Sequence, residues 1–231
     1  MKTMKTKIVA IMLVLALALT GCVTQKSTVV INSDVSVKMT TNIKVDKQAA
    51  IQAYIQMMKS QGQTVSEAEV TALITLMLPK LKDEGIDVKT VTENGKDYYV
   101  IDYSQNIKKG DLQKEFGVEG FDTYVTTDTF YMNGDIMKLL DAEDVDIFAA
   151  YKEMGVELKE EDIQTSITVQ FPNAIVSTNG AKDASNPNAA IFSVPLTGKI
   201  NMFATTKAGV TEASVKATIK KLNTVKATKI K

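Results

Sequence analysis

One thiol stands alone in the 231-residue sequence, that of Cys22. Through its thiolate a cysteine can be alkylated, acylated, oxidised or metallated. With no second cysteine, an intramolecular disulfide and a metal site built on several cysteines are both excluded. The other groups that do chemistry at neutral pH are missing. There is no histidine, so the usual acid–base side chain is absent. All 27 basic residues are lysine, so no guanidinium fork can grip phosphate or carboxylate in two places. Asp141, Glu143, Asp144 and Asp146 form an oxygen-rich cluster that can attract Ca²⁺, which takes oxygen ligands. Their spacing is not that of an EF-hand loop, and a solvated helix N-terminus accounts for them through the helix dipole. No spacing suggests a Ser–Lys or Asp–Asp catalyst. The expectation is a non-enzyme with no cofactor, no metal and no catalytic residues. A formal net charge of zero also disfavours a nucleic-acid partner.

The surroundings of Cys22 say what its thiol is for. Lys2, Lys5 and Lys7 precede an apolar run over residues 8–19. That run falls short of the ~20 residues that cross a bilayer and matches the h-region of a secretory signal. It ends in Leu19-Thr20-Gly21-Cys22. This arrangement resembles the bacterial lipobox. The resemblance implies diacylglycerol on the Cys22 sulfur, cleavage before Cys22, and a mature protein held by palmitate-type chains on the extracytoplasmic face of a bacterial membrane. Residues 1–21 are then the signal peptide and residues 22–27 a short tether.

Residues 28–46 alternate in the β manner, with Asn32-Ser33-Asp34 suggesting a turn. The period then becomes helical over 48–60, through Ile51, Tyr54, Ile55 and Met58, and Gly62 closes it. Ser66-Glu67-Ala68-Glu69 is a capping box for a second helix, carried by Val70, Leu73, Ile74, Met77, Leu78 and Leu81, with Pro79 expected to kink or shorten it. Residues 88–103 read as a β-hairpin around Asn94-Gly95, with Tyr99, Ile101 and Tyr103 on one face. A short helix from Asp111 to Gly117, one strand over 122–132 closed by Asn133-Gly134, and a helix over 145–154 follow. Long strands are expected over 163–171 and 190–206. The fold class expected is α+β: a mostly antiparallel, curved sheet packed against an amphipathic helix pair, in one domain over 28–206.

The stretch over 168–196 contains Phe171-Pro172, then a short apolar segment, Asn179-Gly180 and a returning strand from Ala190. In that order these features look like the C-terminal signature of the LppM-type lipoprotein domain family, and residues 29–45 look like its opening strands. The resemblance implies an α+β domain outside the membrane, associated with lipid or glycolipid binding. It supplies no catalytic residue. Read as structure alone, Pro172 marks a strand end and Gly180 a turn that other residues resist.

A lipid-like ligand needs an apolar lining. The candidates are Ile51, Tyr54, Ile55, Met58, Leu73, Met77, Tyr99 and Tyr103, with Met57 and Phe130 as further contributors; for any one of them taken singly, plain core packing is the favoured explanation. Charge is uneven: residues 22–206 hold 17 Lys against 26 acidic residues, whereas the tail over 207–231 holds seven Lys and Glu212 alone. In that tail Val215, Ile219 and Leu222 can share a helical face, leaving Lys216, Lys220 and Lys221 to meet solvent or an anionic surface. The partners expected are thus a membrane through the acyl anchor and a lipid or glycolipid ligand. The alternative is an envelope protein docked on the acidic face.

Overall fold

A β-hairpin opens the described part of the chain. Strand β1 (Val23–Ile31) turns into β2 (Val37–Asp46), and Asn32 N–H donates to the Ser36 carbonyl at 2.9 Å across the turn. The computed structural model describes residues 23–60, 62–83, 86–109, 121–135, 163–195 and 198–229. The helices expected over 111–117 and 145–154 lie outside these residues. The turn carries an unexpected feature: its left-handed residue is Val35, with φ +66°, rather than a member of the Asn32–Asp34 triplet. A β-branched residue rarely adopts that conformation. Asp34 holds the turn by accepting both the Ser36 N–H (2.9 Å) and the Ser36 hydroxyl (2.6 Å).

The fold is α+β. Among the described residues a seven-stranded sheet has the order β3 (Ile86–Glu93), β4 (Lys96–Ile107), β2, β1, β7 (Ile163–Gln170), β10 (Ala189–Ser193), β9 (Ala181–Lys182), and a four-stranded sheet the order β5 (Phe121–Val125), β6 (Thr129–Asp135), β11 (Lys199–Thr205), β8 (Ser177–Thr178). The chain divides into two compact units. Of the described residues, one comprises 23–27, 40–60, 62–83, 86–104 and 163–165; the other 28–39, 105–109, 121–135, 166–195 and 198–229.

In the first unit, α1 (Lys47–Ser60) starts where the Asp46 carboxylate accepts the Ala49 N–H at 3.0 Å, an N-cap. It ends in a Schellman motif: Gln63 N–H reaches the Met58 carbonyl and Gly62 N–H the Lys59 carbonyl, with Gly62 at φ +75°. Helix α2 (Glu67–Asp83) has the capping box that its sequence announces. Ser66 N–H donates to Glu69 Oε2 at 2.7 Å, and Glu69 N–H donates back to Ser66 Oγ at 3.3 Å. The helix continues through Pro79 to Asp83. Strands β3 (Ile86–Glu93) and β4 (Lys96–Ile107) form the hairpin, with Asn94 and Gly95 at φ +52° and +76°, as a type I′ turn requires. The two helices pack on each other and α2 packs on β3. Ile43, Val45, Ala50, Ile86 and Ile101 fill this unit's core, with Leu81, Val88 and Tyr103 against them.

Serine 66 offers a direct check on the cap. Ser66→Ala should cost about 1 kcal/mol in urea unfolding. The capping box also makes stability depend on pH. Hydrogen bonds from the Ser66 backbone and then its hydroxyl hold the Glu69 carboxyl below its ordinary value. That contribution is therefore present above the ordinary carboxylate range and is lost as pH falls through the lowered folded value. In Ser66→Ala the acid limb of the stability profile should be shallower.

In the second unit, residues 122–132 are not one strand. They form a hairpin, β5 (Phe121–Val125) and β6 (Thr129–Asp135), with Asn133-Gly134 inside β6 rather than closing it. Threonine reads as strand, but here Thr126 makes the turn: its N–H donates to the Thr129 carbonyl at 2.8 Å and its hydroxyl to Asp128 at 2.7 Å. The expected long strand over 190–206 is also two. Strand β10 (Ala189–Ser193) pairs with β7 (Ile163–Gln170), while β11 (Lys199–Thr205) pairs with β6 in the other sheet. Pro195 has no N–H to extend a ladder, and Gly198 at φ +91° turns the chain. Between β7 and β10 lie β8 (Ser177–Thr178) and β9 (Ala181–Lys182). Helix α3 (Glu212–Lys229) follows β11.

The main core of this unit includes Val29, Ile31, Val37, Phe130, Val169, Phe171 and Phe192. A second cluster joins Tyr131 and Phe203 of the four-stranded sheet to Val215 and Ile219 of α3. The apolar face of the lysine-rich tail is thus occupied by the unit's own core, while Leu222 remains exposed. Tyr131 is fully buried, and its hydroxyl makes no hydrogen bond of ordinary geometry among the described residues. Burial pushes the phenol above its ordinary value, although the Lys216 ammonium near its ring acts to lower it. Removing an unsatisfied polar atom costs little, so Tyr131→Phe should change the unfolding free energy by no more than about 1 kcal/mol, and toward greater stability. A loss well beyond that would reveal a partner for the hydroxyl.

Candidate functional site

Cys22 and the preceding Leu19, Thr20 and Gly21 lie outside the described residues. The acidic cluster Asp141, Glu143, Asp144 and Asp146 does too. Of the apolar candidates, Ile51 and Tyr99 are buried, and Tyr54, Ile55, Met58 and Tyr103 are half-buried. Leu73 is 39% exposed on α2. Met77 belongs to α2, but its side chain is outside the description, as is that of Met57. Tyr103 packs against the first unit's core, whereas Phe130 belongs to the core of the second. All four of these α1 residues fall on one stripe at 100° per residue, so the helical period alone does not separate the buried Ile51 from the half-buried Tyr54, Ile55 and Met58.

Tyr99 has a polar neighbourhood as well. Burial, and then the charge of Asp97, raise its phenol above the ordinary value. The Lys47 ammonium lies 6.0 Å from its ring centroid, and Lys44 lies 4.1 Å over the ring of Tyr98. Lys44 pairs with Glu93, and Lys47 with Asp97 at 3.9 Å.

Two surface depressions stand out among the described residues, and none of the apolar candidates lines either. One is the outward face of α2, where Ala68, Ala72 and Leu76 recur every four residues beside Thr71 and Thr75. Leu76 is 70% exposed there. Both threonine hydroxyls are spent on the helix itself, each donating at 2.8 Å to the carbonyl four residues back. The second is a groove of about 480 Å³ in the second unit, bordered by Asn179-Gly180, Phe192, Pro195, Lys199 and Asn201. No local pattern announces this groove, because its walls come from segments as far apart as Asn179 and Met202.

The groove's polar groups serve the fold. Asn179 Oδ1 accepts the Phe203 N–H at 2.8 Å, and its amide donates to the Asn201 carbonyl at 3.2 Å. Asn201 donates to Glu212 at 3.0 Å, and Lys216 pairs with Glu212 at 2.6 Å. Lys216, then Asn201, hold the Glu212 carboxyl below its ordinary value. Gly180 corrects one expectation. Its φ is not in the left-handed region; it is glycine because a Cβ would meet the Ile191 carbonyl oxygen and the Phe192 ring, each at 2.7 Å. Close approach, not turn geometry, demands it.

The lowered carboxyl values of Asp34 and Asp183 come first from hydrogen bonds to Ser36 and Ser185, two residues on, within local turns. Among the described residues no group of three or more Cys, Asp or Glu side chains is placed to hold a metal ion. No described helix is long and apolar enough to cross a membrane.

No family model matches the sequence, and no curated protein matches it. A solved structure that it resembles is the NMR structure of the folded domain of Mycobacterium tuberculosis LppM. The identity is 15%, the match covers 80% of this chain and 89% of that one, and the TM-score is 0.38. A likeness of that size is too slight to transfer a function.

Proposed function

We propose that this chain is an exported, non-enzymatic lipoprotein, acylated on Cys22 and held on the extracytoplasmic face of a bacterial membrane. One observation carries the reading: Lys2, Lys5 and Lys7, the apolar run over 8–19, and Leu19-Thr20-Gly21-Cys22 stand in the order and spacing of a lipobox leader. Two or three acyl chains on one residue satisfy the requirement for stable anchoring that one chain does not. Intact-mass measurement of protein purified from its host membranes tests it. The expected species lacks residues 1–21 and carries diacylglycerol mass at Cys22; an unmodified Cys22 with the leader attached would overturn it.

Its ligand, in this reading, is lipid-like. It would lie along the half-buried Tyr54, Ile55 and Met58 of α1 and the exposed Leu73 of α2, since the space between the helices and the sheet in that unit is filled by Ile43, Val45, Ala50, Ile86 and Ile101. Native mass spectrometry after exposure to envelope lipids should show a retained lipid. A second reading, docking of an envelope protein, is favoured by the exposed Leu76 on the outer face of α2. Crosslinking to a protein in intact membranes that is lost in Leu76→Asp, with no lipid retained, would select it.

A further inference from the structure

We propose that one end of the sheet in the first unit is a bilayer-facing surface: the Asn94-Gly95 hairpin tip, with Lys44, Lys47 and Lys96, rests against lipid headgroups. This rests on the acylation of Cys22 proposed above. The first described residue of β1 is Val23, directly after Cys22 in the chain. One residue spans at most about 3.6 Å, so an acylated Cys22 leaves the strand no free tether. The start of β1 must therefore lie at the headgroup level.

Topology shows which residues share that level. Asn32 pairs with Ser36 across the hairpin turn, and Ser27 Oγ lies 3.1 Å from Thr41 Oγ. Both contacts fit one register, so β1 begins beside the end of β2. At that end Lys44 pairs with Glu93 and Lys47 with Asp97, which brings the end of β3 and the start of β4 alongside. In the order β3-β4-β2-β1 the hairpin tip is two to three strand spacings from β1, roughly 10–15 Å at ~4.8 Å each.

The chemistry of this end suits headgroups. Lys44, Lys47 and Lys96 balance Asp46, Glu93 and Asp97, although residues 22–206 as a whole are strongly acidic. Asp46 is engaged as the cap of α1, and Glu93 and Asp97 are in ion pairs. An anionic surface thus meets no excess of negative charge here, and Lys96 is exposed toward solvent. Half-buried Tyr98, with Lys44 over its ring, adds an amphipathic aromatic of the kind that favours interfaces.

The test exploits the single native thiol. Once Cys22 is acylated, Lys96→Cys or Ser104→Cys supplies a unique site for a fluorophore, and both positions are exposed on β4. The labelled lipoprotein, purified from its host, is placed in phosphatidylglycerol-containing vesicles bearing nickel-chelating lipids, and quenching is compared. The two positions are roughly 26 Å apart on a strand rising ~3.3 Å per residue, so quenching at 96 should exceed that at 104 by about threefold or more. Inserting ten Gly/Ser residues between Cys22 and Val23 should erase the difference, since such a linker spans roughly 17 Å. A vesicle-bound chain quenched equally at both sites, or more at 104, would overturn this surface assignment alone. A chain absent from the vesicles would overturn the acyl anchor and the surface together.

Discussion

Cys22→Ala should abolish incorporation of labelled fatty acid completely. Alanine offers no acceptor, and the sequence holds no second thiol to take its place. Residues 1–21 should then remain attached, because the resemblance to a lipobox makes cleavage follow acylation. A second arm separates the anchor from the leader. Residues 23–231 behind an ordinary cleavable secretory signal should leave the membrane fraction. Each buried methylene contributes about 0.8 kcal/mol and a single myristoyl chain gives only ~10⁴ M⁻¹, so loss of two or three chains removes orders of magnitude in partitioning. Fatty-acid label persisting in Cys22→Ala, or membrane retention of the released body at high salt, would refute the acyl anchor.

The second large effect concerns Gly180 and Phe192. Phe192 is buried in the second unit's main core and also borders its groove. Phe192→Ala should cost about 3–5 kcal/mol, the range for deleting a core aromatic. Gly180→Ala should cost about 1–3 kcal/mol by overpacking, because its Cβ has no room beside the ring. The two penalties should not add. Removing the ring vacates the space that the new methyl needs, so the double variant should be more stable than the sum predicts by at least about 0.5 kcal/mol. Recovery stays incomplete, since the Ile191 carbonyl oxygen is still 2.7 Å away. Urea unfolding of all four proteins gives the cycle. Strict additivity would show that the ring is not what excludes a side chain at 180.

Local signals were legible wherever a short stretch carries its own hydrogen-bond partners. The Ser66/Glu69 box, the Asn94-Gly95 turn and the Gly62 cap each close within six residues, so residue type alone declares them. Where two neighbouring strands belong to different sheets, local pattern fails. Residues 190–206 alternate well enough to read as one strand, and nothing in that alternation says that β10 and β11 find different partners. Thr126 and Asp128 break the strand pattern for a related reason: threonine favours strands on average, but a carboxylate two residues on can turn its hydroxyl into a turn clamp.

By itself, then, the order of residues determined the α+β class, the helix pair with its caps and the thiol chemistry offered at Cys22, since each depends on periodicity or on neighbours in the chain. Tertiary structure alone decided which apolar side chains are buried, that Val215 and Ile219 of the lysine-rich tail complete a core with Tyr131 and Phe203, and that Gly180 is glycine for lack of space. Burial and steric contact join residues far apart in sequence, and no local period encodes such a meeting.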